Sequence, residues 1–111
     1  MARRDEEPAE ALAAFAVVVD EVVVAGDVEQ ALWFGAPAVK VGGKMFVALR
    51  RGALIARLGA DEVDARVAAG DGVRFDPSGK GRPMKDWLES NVAHAEWVEL
   101  ALAALAFTAG D

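Results

Sequence analysis

The chain has 111 residues, 54% of them apolar, no cysteine, and a formal net charge of −6. That length is one ordinary domain with enough buried surface to fold unaided, and a chain without cysteine has no disulfide, thiolate metal site or thiol nucleophile. No apolar run reaches the roughly 18 residues of a membrane span. Arg3 and Arg4 are followed at once by Asp5, Glu6, Glu7 and Pro8, where a signal peptide would place its apolar segment. These features predict a cytoplasmic protein that makes no membrane contact. Residues 1–7 read as a flexible N-terminus and 8–108 as a single domain.

Residues 8–24 read as a helix. Pro8 suits a first turn, and Leu12, Phe15, Ala16, Val19 and Val23 recur at spacings of three and four, as one apolar stripe. The β-branched runs Val17–Val19 and Val22–Val24 allow the last turn to become extended. Four short strands follow, over 28–34, 37–41, 45–50 and 53–58, with turn signals at Gly42–Gly43 and Arg51–Gly52. A two-residue loop at Arg51–Gly52 sets Leu49 against Leu54, Val47 against Ala56 and Met45 against Leu58, with all six on one face. A three-residue loop over 42–44 adds Val39 and Val41 to that face. The opposite face then carries Lys40, Phe46, Ala48, Arg50, Ile55 and Arg57, a mixture of cations and apolar groups that suits contact with a partner.

Residues 61–69 read as a short helix capped by Asp61, with Val63 and Val67 on one side. Val73–Phe75 is a fifth short strand, 76–83 a loop rich in turn residues, and Met84–Glu89 a return to the sheet. A final helix over 93–108 buries Trp97, Ala101, Leu102 and Leu105, with Glu96 and Glu99 outward. This order predicts an α+β sandwich, an antiparallel meander with the N- and C-terminal helices on one face.

Charge is segregated along the chain. Residues 1–30 hold two basic and eight acidic side chains, 31–85 ten basic and five acidic, and 86–111 no lysine or arginine and five acids. The pattern suits either oppositely charged elements packed side by side or a basic surface that meets an acidic partner.

Chemistry-bearing residues are sparse. One histidine, His94, and no cysteine make a poor ligand set for a metal. Asp61, Glu62 and Asp64 lack calcium-loop spacing and read as acids at a helix N-terminus. The only hydroxyls are Ser78, Ser90 and Thr108, none in a nucleophile elbow. Lys80, Arg82 and Lys85, around the glycines of 79–82, form a candidate anion loop, although no nucleoside-triphosphate motif is present. Trp87 and Trp97 read as core. Trp33, between Leu32 and Phe34, must point outward or into a partner.

Two segments carry a family resemblance. Phe34-Gly35-Ala36-Pro37-Ala38-Val39-Lys40-Val41-Gly42-Gly43-Lys44-Met45-Phe46 resembles the signature hairpin of TfoX N-terminal domain-like proteins, and also that of the related MmcQ/YjbR proteins. Arg74-Phe75-Asp76-Pro77 through Gly81-Arg82-Pro83-Met84-Lys85-Asp86-Trp87 is more similar to the TfoX-like pattern. The final helix with Trp97, Ala101 and Ala104 is similar too. The resemblance spans roughly residues 10–108, and is strongest to the short, free-standing members from GC-rich bacteria. It implies a small α+β sandwich with a curved antiparallel sheet, and it supplies no catalytic residue. Full-length TfoX proteins add a helical domain and regulate competence for DNA uptake.

The resulting expectation is a noncatalytic interaction or regulatory module, with no cofactor, acting on a protein partner or as a homodimer. Its expected surface is Lys40, Phe46, Arg50, Ile55 and Arg57. Nucleic-acid association through Lys40, Lys44, Arg50, Arg51 and Arg57 is an alternative that the net charge disfavours. A small-ligand site near Ser78–Lys85 is another.

Overall fold

A computed structural model describes residues 7–111; the flexible segment expected over 1–7 falls, apart from Glu7, outside the described residues. Helix α1 runs Ala9–Ala25 without a break at its valines. Packing overrides their strand preference, because Ala11, Phe15, Val18 and Val22 form a buried stripe at helical spacing. This stripe is rotated from the one expected: Leu12 and Val23 are exposed.

Strands β1 (Val28–Trp33), β2 (Ala36–Val41), β3 (Lys44–Arg50) and β4 (Ala53–Arg57) form an antiparallel meander. Phe34–Gly35, Gly42–Gly43 and Arg51–Gly52 close its hairpins, with both central residues left-handed in each turn. This is the two-residue turn whose twist matches that of the strands. The turn after β2 is therefore one residue shorter than expected, with Val41 opposite Lys44. Glu7 fastens the third turn, accepting hydrogen bonds from the N–H groups of Arg51 (3.0 Å) and Gly52 (2.7 Å).

Helix α2 spans Ala60–Ala68; Gly59, rather than Asp61, occupies its N-cap, and no side chain caps it. Strands β5 (Gly72–Phe75) and β6 (Met84–Ser90) pair antiparallel, and β6 lies against β4, giving the order β1-β2-β3-β4-β6-β5. A 3₁₀ turn, His94–Glu96, leads into α3 (Trp97–Ala109). Helix α3 buries Trp97, Leu100, Ala101, Ala104, Leu105 and Thr108, while Leu102 is exposed.

One core lies between the helices and the sheet, built from α1, α3 and Val63 of α2 against Val39, Val47, Leu49, Leu54, Ala56, Leu58 and Leu88. The expected pairs Leu49–Leu54 and Val47–Ala56 are in register. Met45 departs from that set. Val39 pairs with Val47 but Lys40 with Met45, so β3 carries one extra residue, Phe46. Such a bulge turns two consecutive side chains to one side. Phe46 and Val47 both enter the helix-side core, and Met45 goes to the other face.

A second core fills that other face: Ala38, Ala48, Ile55, Phe75 and Trp87, with Trp33, Met45, Ala53 and Met84 against them. Laid flat, six strands at about 4.8 Å spacing would hold β1 and β5 about 24 Å apart. Instead, Trp33 of β1 meets Phe75 of β5 at 5.7 Å between ring centroids and Trp87 of β6 at 4.8 Å. The sheet is curled until its two edges approach across this face. Small residues at Ala38 and Ala48 leave room for the rings, and a break in register between Arg74 and Phe75 bends β5 inward.

Candidate interaction surfaces

The five residues expected to share one exposed face are dispersed. Phe46 is 0% exposed and belongs to the helix-side core, which corrects its assignment as a contact residue. Ile55, on the expected face, is 1% exposed beneath the aromatic cluster and offers no contact surface either. Arg50 lies with its guanidinium 4.6 Å from the Phe34 ring centroid and 5.6 Å from that of Phe75. Arg57 turns toward the end of α3, over the Phe107 ring and 2.8 Å from the Asp111 carboxylate, with Asp86 at 3.7 Å. Lys40 is half-buried, with its backbone opposite Glu29 of β1. The cations therefore form no common patch, and Lys44 is also drawn to Asp111, at 3.4 Å.

The candidate anion loop is built around an internal anion. Asp76 Oδ1 accepts from the N–H groups of Ser78 and Gly79 and from Ser78 Oγ; its Oδ2 accepts from the N–H groups of Gly81 and Arg82. The Ser78 hydroxyl, ahead of those backbone donors, holds the Asp76 carboxyl below the usual carboxylate range. The donors that would cradle a phosphate thus serve Asp76, while Lys80, Arg82 and Lys85 stand exposed around them. Between this loop and Arg50–Arg51 lies a cleft of about 110 Å³, smaller than ordinary ligand pockets of roughly 300 Å³ and more. Among the described residues, no group of three histidine, aspartate or glutamate side chains is placed to hold a metal. His94 lies edge-on to Trp97 at 4.6 Å.

A different surface collects exposed apolar side chains. The rotation of α1 leaves Leu12, Ala16 and Val19 facing Gln30 and Pro37 across an open groove of about 340 Å³, which Asp20 also lines. Leu32, opposite Pro37 in the β1–β2 ladder, is 70% exposed, and Leu12 is 42% exposed. Strand β1 is an edge of the sheet, so one row of its backbone groups has no strand beside it. Alternation along β1 was visible in the sequence, but with the wrong side outward: Trp33, expected to point outward or into a partner, packs against the second core, and Leu32 is the exposed residue. The groove was not visible, because Leu12, Ala16 and Val19 form a helical stripe indistinguishable from a core face.

At the level of class, the curled six-stranded antiparallel sheet and three helices make this an α+β sandwich. The chain matches no family model, no curated protein and no solved structure.

Proposed function

We propose that the chain is a noncatalytic interaction module, as its resemblance to TfoX N-terminal domain-like proteins implies, and that it engages a protein partner through the face formed by α1 and β1. The observation that carries this reading is the coincidence of an apolar groove, the exposed Leu12 and Leu32, and a sheet edge on one side of the molecule. Large exposed apolar patches rimmed by polar groups mark contact sites. The reading moves the contact face from β2–β4, where Phe46 and Ile55 are buried, to the side of the molecule formed by α1 and the β1 edge. The test compares the wild-type chain with the double variant Leu12→Lys/Leu32→Lys as bait in the source cell. Both residues are exposed, so the variant should keep the wild-type circular dichroism and melting profile. Its co-purifying proteins should disappear, and an unchanged set of bound proteins would refute the reading.

A further inference from the structure

The two edges of the sheet are not equivalent. Strand β5 has four residues, breaks register at Arg74–Phe75, runs into Asp76–Pro77, and has Arg74 tied to Asp64 of α2. Short, bent, charged edges of this kind discourage further pairing. Strand β1 has six residues, pairs with β2 through six consecutive positions without a break, and contains no proline, lysine or arginine. Its single charge is Glu29. Beside it lies the groove, and around it the charge is mostly negative: no lysine or arginine occurs between residues 7 and 39, although Lys40 of β2 is paired opposite Glu29. Glu10, Asp20, Glu21, Asp27 and Glu29 are exposed, and none of them joins an ion pair among the described residues.

We infer that β1 is the site of strand addition by a cationic extended segment whose apolar side chains alternate with lysine or arginine. This rests on the α1–β1 face being the contact face. An added strand gains main-chain hydrogen bonds along the open row of β1, while its alternate side chains set specificity. On the helix side, apolar groups meet Leu32 and the groove; on the other, a cation comes beside Glu29, across it from Lys40 of β2, while Asp27 and the acids of α1 attract the segment at longer range. A second copy fits less well, because it would set the five acids against their own counterparts, with Lys40 of β2, already opposite Glu29, offsetting no more than one of them.

The test uses the chain with two capped eight-residue peptides, one alternating valine with lysine and one alternating valine with glutamate, followed by amide NMR and fluorescence anisotropy. The lysine peptide should shift the amides of Gln30, Ala31 and Leu32, bind at least tenfold more tightly than the glutamate peptide, and weaken as salt is raised. N-methylation of alternate amides on its pairing side should abolish binding, and Leu32→Lys, at an exposed position, should weaken it at least tenfold. Equal affinity for the two peptides, or shifts confined to β5 or the 76–83 loop, would overturn the inference. Sedimentation separates the two levels. If neither peptide binds but the chain is a dimer that Leu32→Lys dissociates, the cationic strand is wrong and the contact face stands. If neither peptide binds and the chain is a monomer, the inference falls, and the bait comparison decides the fate of the face.

Discussion

Phe46 and Phe34 are two phenylalanines in one meander, and the fold assigns them unequal consequences. Phe46 is the extra residue of the β3 bulge and is fully buried against α1 and α3. Replacing a buried phenylalanine by alanine removes its transfer free energy and leaves a cavity, together about 4 kcal/mol. With a urea slope of about 2 kcal/mol per molar, the unfolding midpoint should fall by about 2 M. Phe34 is 60% exposed, in a left-handed turn conformation with φ of 54°. In Phe34→Gly, backbone strain of about 1–2 kcal/mol is relieved. Against this stand the stacking on Trp33 at 5.2 Å and the Arg50 contact, about 1–2 kcal/mol together. The expected net change is within about 1 kcal/mol of zero. Urea unfolding followed by tryptophan fluorescence measures both variants. A Phe46→Ala loss below about 1 kcal/mol would refute the bulge and with it the division of β3 between the two cores.

Further consequences concern the curl, the α2 entry and the acidic residues. Trp33→Ala should lower stability by about 2 kcal/mol and shift Trp87 emission to the red by opening the second core; unchanged emission would count against contact between the sheet edges. At Gly59, with φ of 87°, an added Cβ would lie 2.5 Å from Cε1 of Phe107, so Gly59→Ala should cost about 2–3 kcal/mol. Adding Phe107→Ala should recover part of that loss, and failure to do so would leave only the backbone term. The Asp111 carboxyl is held below its ordinary range, first by the hydrogen bond from Arg57 and then by the charge of Lys44, and Asp76 is likewise lowered. Carboxyls shifted down stabilise the fold fully above their unfolded value of about 3.9 and lose that contribution as pH falls through the lower folded values. Stability measured from pH 5 to pH 2 should therefore decline less steeply in Asp111→Asn than in the wild type, and parallel slopes would contradict the assignment.

Much of the architecture was legible because it follows local periodicity. Alternating apolar residues flanking Arg51–Gly52 specify the β3–β4 register, and Gly42–Gly43 marks a tight turn. The bulge was not visible: Met45 to Leu49 are all apolar, so the run fits an unbroken strand in either register, and nothing in it marks Phe46 and Val47 as neighbours that face the same way. In α1, alanine and valine occupy nearly every side, so the 3.6-residue signal is flat. The larger Leu12 suggested one stripe, while packing around Phe15 selected the neighbouring one. That rotation explains why the groove was missed. The Asp76 loop read correctly as a turn, but its capture of donors from Ser78 to Arg82 depends on how the loop closes. The meeting of Trp33 with Phe75 and Trp87 is a long-range product of sheet curl, which no short window encodes.

Hydrogen exchange resolved by residue offers the most direct test of β1 as the contact edge. In the free chain, the β1 amides that point away from β2 should exchange orders of magnitude faster than those bonded to it. Saturation with the lysine–valine peptide should slow that outward row alone. Outward β1 amides already protected in the monomeric chain, or protection appearing on β5 in their place, would contradict the account.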